Sequence, residues 1–596
     1  MTDIAMTIPD LHAAYARGVS PEQIIAQVYT RLREVDDPCI FLSMASEADA
    51  QAAAAALGPY DPAKPLWGVP FAVKDNIDVA GYETTAACPA YAYTPTQDAF
   101  VVAKLREAGA IFIGKTNLDQ FATGLVGVRT PYGAPRNSID PEIVPGGSSG
   151  GSGVAVGHGI VAFSLGTDTA GSGRVPAALN NIVGLKPTLG ALSATGVVPA
   201  CRSVETISIF AFTVADAYTA FSVACAYDAV DAYARHISAP PLAAPKSAPV
   251  IGIPSRDSIR FSGDAVQEAS FNAAVDLLRG QGAEIREIDF TPLYDVADML
   301  YEGAWVAERY TVIEDLLHKD PEAILPVTRQ VICKAETLSA ADAFRGMYRL
   351  KELSRIAETA LEGLDMLCVP TIPTFHTVAE LEADPIGPNS NFGTYTNFVN
   401  LLDMCGIAVP VPARSDGRPG SVTLLAAAGK DADIAASGLA LEAAGKRNLG
   451  ATGWPFNGTP TLEAAATDGL ILAVCGAHMD GLPLNHQLTE RGATYHGAAT
   501  TTDSYRFYAL ADDPPARPGL VKGTPGSGAS IAVELWSLPF EKVGGFLEAI
   551  PAPLGIGTVD LSDGRQVKGF ICEAEAVAES TEITQIGDWR NYLAQL

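Results

Sequence analysis

The sequence has little positive charge and few histidines for its length. Forty lysines and arginines stand against 68 aspartates and glutamates in 596 residues, which gives a formal net charge of −28. An acidic chain of this kind repels nucleic acids and acidic membrane surfaces, which disfavours a role built on either. Only five of the eight histidines lie in the first 460 residues. None has an evident partner acid, so a serine–histidine pair is not predicted there.

Long apolar runs and paired cysteine motifs are absent as well. No run of 18 apolar residues occurs, so no transmembrane helix is predicted. The nine cysteines are scattered, their number is odd, and no CxxC motif occurs, which favours a reduced, intracellular compartment. The start of the chain has no basic segment followed by an apolar core. We therefore predict no signal peptide and expect a cytoplasmic protein.

The length and the apolar pattern predict more than one domain. A chain of 596 residues is too long for one hydrophobic core. From Trp67 onward, short apolar strands alternate with helices, which predicts an α/β fold with a mixed, largely buried sheet. We predict this domain over residues 1–450, with a helical amino-terminal arm over about 1–60. A Gly-, Pro- and Thr-rich stretch predicts a linker over 451–466, and short strands predict a smaller β-rich α+β domain over 467–596.

A glycine-rich stretch from Pro145 to Pro187 carries the chemistry of the first domain. It holds Ser148 in GGSSGGS and Ser172 in DTAGSGRVPA, where glycines allow sharp turns that point backbone N–H groups at a ligand. Upstream, Lys74 ends the apolar, strand-like run GVPFAVK. A lysine there can serve as the base for a serine nucleophile if burial lowers its pKa. A flexible linker is the ordinary interpretation of a Gly/Ser loop, but two such loops and a buried lysine disfavour it.

These motifs resemble the Ser–cis-Ser–Lys triad of the amidase signature family, strongly over about residues 68–213 and more loosely to about 450. The resemblance implies an α/β amidase signature fold, with a mixed central sheet flanked by helices. It implies that Ser172 is the nucleophile, that Ser148 follows a cis peptide bond and relays a proton, and that Lys74 is the base. The oxyanion hole is expected from the backbone N–H groups of Thr169, Ala170, Gly171 and Ser172. Most relatives have glycine where Ala170 stands, but the N–H donor survives that change.

Other residues near these motifs are candidates for support or for substrate binding. We interpret Asp168 and Arg174 as a structural ion pair and leave a catalytic part open. Ser149 is interpreted as a loop residue that supports Lys74. Gly124 follows a segment, KTNLDQF, that resembles one beside the family's active site. It is a candidate for bringing backbone close to a substrate, with an ordinary turn glycine as the alternative.

A helix predicted from about Asp295 to Leu317 places Tyr301 and Arg309 two turns apart and hence on one face. We predict that Arg309 binds a substrate carboxylate and that Tyr301 hydrogen-bonds beside it. A surface arginine with a half-buried tyrosine is the alternative. Arg129 and Arg136, in GVRTPYGAPRN, are rival anion-binding residues.

The carboxy-terminal segment GAHMDGLPLNHQL resembles the corresponding domain of the allophanate hydrolase branch, which is similar in outline to the γ-glutamyl cyclotransferase-like fold. The implied activity is hydrolysis of allophanate, a linear amide that carries a carboxylate, followed by decarboxylation in the second domain. His478 is the candidate for binding or proton donation there. The alternative for the three histidines His478, His486 and His496 is scattered hydrogen bonding, since their spacing fits no zinc motif.

The resemblance implies no metal and no cofactor. It implies a homodimer and, as metabolic partner, a biotin-dependent urea carboxylase that makes the substrate. Three alternatives stay open: another small-amide or malonamate amidase, an amidotransferase A subunit, and a catalytically inactive scaffold that binds a partner. The charge of −28 disfavours the transfer-RNA role, and the intact Lys74, Ser148 and Ser172 disfavour the scaffold.

Overall fold

The computed structural model describes residues 3–246, 248–458, 469–510, 516–578 and 580–596, apart from the side chains at positions 302 and 541. By its internal contacts the chain divides into two compact units. The first comprises Met1–Pro240 and Ser247–Pro460, and the second comprises Pro241–Lys246 and Thr461–Leu596. None of the helices in the described ranges is both long and apolar enough to cross a bilayer.

In the first unit, the described residues form sixteen α-helices and eleven strands. The helices are α1 Ile8–Ala16, α2 Pro21–Val35, α3 Glu47–Ala56, α4 Phe100–Glu107, α5 Gly150–Gly157, α6 Val175–Leu179, α7 Val214–Ala224, α8 Ala265–Gly280, α9 Thr291–Glu302, α10 Trp305–Lys319, α11 Pro326–Ile332, α12 Ala340–Ala360, α13 Val378–Ala383, α14 Gly387–Phe392, α15 Asn397–Leu401 and α16 Asp431–Ala444. The strands are β1 Phe41–Met44, β2 Pro70–Lys74, β3 Ile111–Thr116, β4 Phe163–Asp168, β5 Val183–Lys186, β6 Thr206–Ala211, β7 Val250–Pro254, β8 Glu284–Ile288, β9 Met366–Pro370, β10 Met404–Val411 and β11 Gly420–Ala427. Single 3₁₀ turns lie at Pro89–Tyr91, Gln120–Ala122, Pro321–Ala323 and Cys333–Thr337.

In the second unit, the described residues form three short helices and eight strands. The helices are α17 His486–Thr489, α18 Phe540–Glu548 and α19 Trp589–Leu593, with a 3₁₀ turn at Ala574–Val577. The strands are β12 Gly469–Val474, β13 Thr494–Thr500, β14 Tyr505–Ala509, β15 Pro518–Lys522, β16 Ala532–Pro539, β17 Leu554–Asp560, β18 Gln566–Cys572 and β19 Thr581–Glu582.

All eleven strands of the first unit join one mixed sheet, in the order β1-β3-β2-β4-β6-β5-β10-β11-β9-β7-β8. The pairs β3–β2, β2–β4, β9–β7 and β7–β8 are parallel, and the others are antiparallel. The strands β2, β3, β4, β5 and β6 are buried along their whole length, as expected for a sheet covered by helices on its faces. The predicted mixed central sheet and α/β class are confirmed.

The second unit has its own sheets and its own core. One sheet has the order β13-β16-β12-β18-β17 and the other the order β15-β14-β19. A separate apolar cluster fills it, in which Tyr505, Phe507, Trp536 and Trp589 are the large buried residues. The prediction of a smaller, β-rich α+β domain is confirmed.

Two parts of the predicted helical pattern are wrong. The amino-terminal arm is not wholly helical, because Phe41–Met44 forms the strand β1 and pairs antiparallel with β3. The helix predicted from about Asp295 to Leu317 is two helices, α9 and α10, broken at Gly303 and Ala304. Gly303 is extended (φ −107°, ψ −163°), and a Cβ there would lie 2.5 Å from the carbonyl oxygen of Met299. The turn therefore requires glycine.

The predicted linker 451–466 falls partly on described residues. In the first half, Trp454 is buried in the first unit, where its indole Nε1 donates to Asp3 Oδ2 at 2.9 Å and Arg31 lies over its ring. Residues 459–466 lie outside the described residues. The boundary of the second domain at residue 467 stays a prediction.

Candidate active site

Lys74 is the last residue of β2 and is completely buried. Because β3 and β4 pair with β2 on either side, Lys74 lies on a strand between these two neighbours. Its Nζ donates to two hydroxyl oxygens, Ser148 Oγ and Thr167 Oγ1, each at 2.8 Å. A buried ammonium held only by neutral hydroxyls is poorly compensated, so this environment favours the neutral amine.

The pKa of Lys74 follows from this placement. Burial lowers it from 10.5 to about 8, against the opposing influence of the carboxylates of Glu205, Asp119 and Asp168. The amine is therefore partly neutral at physiological pH, which a lysine needs if it is to accept a proton.

Ser148 lies two residues before the first residue of α5 and is completely buried. The peptide bond between Gly147 and Ser148 is cis. A Cβ at Gly147 would lie 2.1 Å from Asp119 Oδ2 and 2.4 Å from the backbone nitrogen of Gly127. The carbonyl oxygen of Ser148 also accepts a hydrogen bond from the N–H of Asp119 at 3.0 Å. The loop that follows β3 is thus packed directly onto this residue.

Ser149 supports the site differently from the prediction. Its hydroxyl donates to the carbonyl oxygen of Thr167 at 3.3 Å, whereas the Thr167 side chain contacts Lys74. Thr167 also receives a long hydrogen bond from Asn76 Nδ2, at 3.4 Å. The Lys74 amine is therefore held by a strand residue that the sequence analysis did not single out.

Ser172 lies in a tight turn after β4, and Asp168 ties that turn together. The two carboxylate oxygens of Asp168 accept hydrogen bonds from the N–H groups of Gly171 at 2.9 Å and Gly173 at 3.0 Å. Gly171 has a φ of +128°, and a Cβ there would lie 2.5 Å from the side chain of Thr396. Only glycine fits this position without displacing its neighbour.

This arrangement corrects one member of the expected oxyanion hole. The Gly171 N–H already donates to Asp168, so it is not available to a substrate oxygen. The N–H groups of Thr169, Ala170 and Ser172 donate to no acceptor within the described part of the chain. Three of the four expected N–H donors therefore have no described acceptor. The fourth, that of Gly171, lies between Ala170 and Ser172 in the chain and is already hydrogen-bonded.

Arg174 completes the support of the turn. Its Nε and Nη2 donate to the two oxygens of Asp168, both at 3.0 Å, and both side chains are fully buried. Burial alone would raise the pKa of Asp168, but the Arg174 guanidinium holds it below its ordinary value. A fork-to-fork pair of this kind stabilises geometry as well as charge, as expected of a structural ion pair.

Arg309 and Tyr301 come together although they lie on different helices. Arg309 Nη2 donates to the hydroxyl oxygen of Tyr301 at 3.3 Å, and the guanidinium carbon lies 4.9 Å from the centre of the Tyr301 ring. Arg309 Nη1 donates to Thr123 Oγ1 at 3.3 Å, and Nε has no partner in the described structure. Tyr301 and Arg309 are therefore close to each other, as predicted. They meet across two helices, α9 and α10, and not along one face of a single helix.

Gly124 lies between β3 and α5, next to Thr123, which Arg309 contacts. A Cβ there would lie 2.5 Å from Asp119 Oδ2 and 3.2 Å from Arg129 Cδ. Packing inside the loop is thus sufficient to require glycine. The residues just before, Phe121 and Ala122, both have a φ of +51°, a left-handed conformation that side chains disfavour and that is often retained at functional sites.

The two rival arginines differ in position. Arg129 is buried and donates to the carbonyl oxygens of Thr123 at 3.0 Å and Pro385 at 2.6 Å. Arg136 is exposed, and its side chain donates to the carbonyl oxygens of Val35 and Asp36, at the end of α2. Arg136 is therefore not a residue of this site.

In the second unit, a cavity of about 310 Å³ opens beside the end of β12. Most of the residues that line it are apolar. Its lining also includes three large polar side chains, those of His478, Gln487 and Arg517. The His478 ring stacks on Phe570 with centroids 4.9 Å apart, and its Nε2 lies 3.0 Å from Gln487 Oε1. Burial lowers the pKa of His478, although the hydrogen bond that its Nε2 donates to Gln487 Oε1 raises it. Burial therefore favours the neutral ring.

The histidines nearby have other surroundings. His486 is exposed and contacts the carbonyl oxygen of Pro483, and His496 lies half-buried on β13. Across the described ranges, no group of three or more His, Cys, Asp or Glu side chains is arranged to hold a metal ion. Of these three histidines, the predicted candidate His478 is the one that lines the cavity.

Comparison with known proteins decides the family. The family model described as amidase matches residues 23–434, more than two thirds of the chain. The chain belongs to the amidase signature family. A second model, described as allophanate hydrolase C-terminal domain, matches residues 470–594.

The relatives of the chain differ in how much of its length they match. Urea amidolyase of Saccharomyces cerevisiae is 44% identical over 553 residues, which are 89% of this chain and 30% of that protein. The chain thus spans less than a third of that relative. The solved structure of allophanate hydrolase from Kluyveromyces lactis is 39% identical, with a TM-score of 0.77 and full coverage of both chains. The A subunit of glutamyl-tRNA(Gln) amidotransferase from Carboxydothermus hydrogenoformans is 35% identical over 66% of this chain and 88% of its own.

Two residues of the candidate site were not predicted from the sequence. Thr167 lies inside an ordinary β-strand pattern and Thr123 inside an apolar loop, so neither carried a motif of its own. A usable signal existed for Thr167, since this polar residue follows the apolar run VAFSLG and comes just before the glycine-rich turn. For Thr123 the sequence offered none, because its partners, Arg129 and Arg309, meet only in the fold.

Proposed function

We propose that the chain hydrolyses allophanate, releasing ammonia in the amidase domain and carbon dioxide in the second domain. The observation that carries this is the likeness to allophanate hydrolase of Kluyveromyces lactis over the full length of both chains. Amidotransferase A subunits match about two thirds of the chain, and the model for the allophanate hydrolase C-terminal domain matches beyond that part. The second domain therefore supports allophanate hydrolysis over the transfer-RNA role.

In the proposed acylation step, Ser172 Oγ attacks the carboxamide carbon of allophanate. Its proton passes to Ser148 Oγ, and Ser148 passes its own proton to the neutral Lys74 amine, whose Nζ lies 2.8 Å from Ser148 Oγ. The tetrahedral intermediate collapses when Lys74 returns that proton, through Ser148, to the leaving nitrogen. Ammonia departs, and a carboxycarbamoyl group stays on Ser172. Water then attacks this ester by the same relay, and N-carboxycarbamate leaves.

The developing oxyanion is proposed to bind the N–H groups of Thr169, Ala170 and Ser172, which have no other described acceptor. Preorganised donors of this type contribute about 2.7–4 kcal/mol each to transition-state stabilisation. Asp168 holds the turn so that the donors need not reorganise. This assigns Asp168 and Arg174 a structural part.

For the substrate carboxylate we propose Arg309, with Tyr301 beside it and the Gly124 backbone lining the approach. The two hydrogen bonds of Arg309 are long, at 3.3 Å, and both go to neutral oxygens. A carboxylate would supply a charged, bidentate partner in their place. The site would then prefer small, planar, anionic amides.

The second domain is proposed to promote loss of carbon dioxide from N-carboxycarbamate. That step needs one carboxylate held, the other desolvated, and a proton delivered to the nitrogen as the carbon–nitrogen bond breaks. The cavity at the end of β12 is mostly apolar, with His478 at its wall. His478 is the proposed residue for binding or proton donation, and Gln487 orients its ring.

The proposed metabolic partner is a urea carboxylase, which would make allophanate from urea. The yeast relative is named urea amidolyase and is more than three times as long as the part this chain covers, which supports such a link. We also propose a homodimer. The exposed side chains of Phe344, Met347 and Tyr348, at helical spacing on α12, supply an apolar surface of the type that such contacts bury. Light scattering coupled to size exclusion, on the wild type and a Tyr348→Asp variant, tests it.

The substrate is tested by ammonia release from allophanate, malonamate and acetamide under matched conditions. We expect kcat/KM for allophanate to exceed that for malonamate at least tenfold and that for acetamide by much more. A preference for malonamate would assign the chain to the small-amide amidases. Glutamine-dependent ammonia production coupled to a charged transfer RNA would assign it to the amidotransferases, and no turnover of any of them would favour an inactive scaffold.

The second step is tested with His478→Ala in the full-length chain. Ammonia release should continue for the first turnover while carbon dioxide lags, with N-carboxycarbamate visible by carbon-13 NMR. His486→Ala is the matched control, because it removes an exposed histidine eight residues away that is not part of the cavity lining. If His478→Ala releases both products in step with the wild type, His478 has no part in the decarboxylation.

A further inference from the structure

Two buried arginines contact Thr123, in the loop whose Asp119 hydrogen-bonds Ser148, and neither forms an ion pair with a described carboxylate. Arg129 is 5% exposed and Arg309 is 2% exposed. Each also has an Nε atom with no hydrogen-bond partner in the described structure. Burying a guanidinium is costly unless charged or well-aligned acceptors compensate it. Two such groups together indicate that an anion belongs there.

Thr123 links the two arginines. Arg129 Nη1 donates to its carbonyl oxygen at 3.0 Å, and Arg309 Nη1 donates to its hydroxyl oxygen at 3.3 Å. The Thr123 hydroxyl in turn donates to the carbonyl oxygen of Phe121 at 3.1 Å. Because one residue is held by both guanidinium groups, moving Arg129 would move the acceptor that orients Arg309.

None of the acids near this pair hydrogen-bonds either guanidinium in the described structure. Glu205, which acts on Arg309, accepts the N–H of Ala200 with one oxygen. Asp119 is the principal acid acting on Arg129, but its oxygens accept the backbone N–H groups of Val126, Gly127 and Arg129, at 2.8 to 3.2 Å. Glu308, on the Arg309 helix, accepts two hydrogen bonds from Ser203 at 2.6 Å. These carboxylates cap backbone groups and do not fork onto either guanidinium.

The same loop contacts the catalytic segment. Asp119 N–H donates to the carbonyl oxygen of Ser148 at 3.0 Å, and the loop's Val126 and Gly127 nitrogens crowd Gly147. The loop that holds Arg129 is therefore packed against the segment where the proposed acylation occurs.

We propose that Arg129 is a specificity-determining residue that positions Arg309 through Thr123 and adds a second positive charge for the substrate carboxylate. Arg129 thereby selects anionic linear amides over neutral amides of the same shape. This inference rests on the proposed amidase activity and adds a residue to it. Since both Nη groups of Arg129 donate to backbone carbonyls, it acts through position and field, and Arg309 makes the direct contact.

The test compares allophanate with biuret, which has the same shape but a neutral carboxamide where allophanate has its carboxylate. Arg129→Met should lower kcat/KM for allophanate about 30-fold while changing kcat/KM for biuret less than threefold. Where biuret does not turn over, its competitive inhibition constant serves instead. Arg129→Lys, which keeps the charge, should recover part of the loss. In the Arg309→Met background, Arg129→Met should cost much less than it does alone.

Arg136→Met is the matched control, since it makes the same chemical change seven residues away at an exposed position. It should leave both substrates within twofold of wild type, and thermal unfolding should verify that each variant is folded. Thr123→Val, which removes the hydroxyl and keeps the shape, should reproduce part of the effect if Arg129→Met proves unstable. Equal losses for allophanate and biuret would show that Arg129 is only structural, and no loss for allophanate would also overturn the inference.

Failure of the proposed substrate is distinguishable from failure of this inference. If the wild type prefers another amide, the comparison is made with malonamate against the neutral acetoacetamide, which differ by the same charge. If no substrate turns over, calorimetry of malonate binding to the Ser172→Ala variant measures the anion site directly. Arg129→Met in that background should then raise the Kd of malonate at least tenfold, and an unchanged Kd would refute the role of Arg129.

Discussion

Lys74, to which we assign the role of base, should set the pH dependence of acylation. Burial lowers the pKa of Lys74 to about 8, so the neutral fraction is about one tenth at pH 7, one half at pH 8 and nine tenths at pH 9. Because only the neutral amine accepts the proton, kcat/KM for ammonia release should rise about tenfold from pH 7 to pH 9 and then level off. A lysine with its ordinary pKa would instead give a steady rise of about a hundredfold over the same range.

A second buried lysine makes the wild-type profile alone insufficient. Lys186 is also fully buried, its pKa is also lowered to about 8 by burial, and its Nζ donates to the carbonyl oxygens of Pro187 and Met404. The variant that separates the two is Thr167→Val, since Thr167 hydrogen-bonds Lys74 and not Lys186 in the described structure. Loss of this hydrogen-bond acceptor should destabilise the ammonium form of Lys74 relative to the neutral amine by about 1 kcal/mol. The midpoint should therefore move to lower pH by about 0.7.

Lys186→Met is the control, and it should leave the midpoint of the profile where it is in the wild type. The assay is the initial rate of ammonia release at substrate concentrations well below KM, from pH 6 to pH 10. Two results would refute the reasoning. One is a wild-type midpoint near 6.5, which indicates a histidine. The other is a midpoint that follows Lys186→Met but not Thr167→Val.

Three further outcomes follow from the contacts described. Ser172→Ala should abolish ammonia release, and Lys74→Ala and Ser148→Ala should each lower kcat by orders of magnitude, with losses that do not add because the three act as a unit; retention of more than a few per cent by Ser172→Ala would contradict the covalent mechanism. Arg309→Ala should lower kcat/KM for allophanate by a factor that corresponds to about 2–5 kcal/mol of lost transition-state stabilisation. Arg309→Lys should also have a low kcat/KM, and a change within threefold would remove Arg309 from the site. Arg174→Ala should lower the free energy of unfolding by about 3–5 kcal/mol, because it leaves a buried carboxylate unpaired, and chemical denaturation that shows less than 1 kcal/mol would refute that reasoning.

The parts of the molecule that the sequence predicted well are local. The glycine-rich turns and the strand that ends at Lys74 are continuous stretches, so spacing and residue type are enough to bring out their pattern. The strand β1 was missed because FLSM shows no alternation of its own. It is defined by pairing with β3, about 70 residues later in the chain, and tertiary pairing overrides weak local preference.

The site depends more on the fold than its motifs suggest. Arg129 and Arg136 lie in one loop and look equivalent in the sequence, but one is buried beside Thr123 and the other faces the turn after α2. The break at Gly303 was missed because a single glycine does not end a strong helical pattern by itself. Here the contact with the Met299 carbonyl oxygen decides it.

We expect the strand β1 to protect the molecule against aggregation as well. It covers β3, the strand with the sequence IFIGKT, every residue of which is buried. Without β1, the row of backbone donors and acceptors along β3 would be open beside three successive large apolar residues, which is a template for pairing with another chain. Proteolytic loss of the first 60 residues would therefore be expected to produce insoluble protein before it produced inactive protein, although none of those residues belongs to the catalytic machinery.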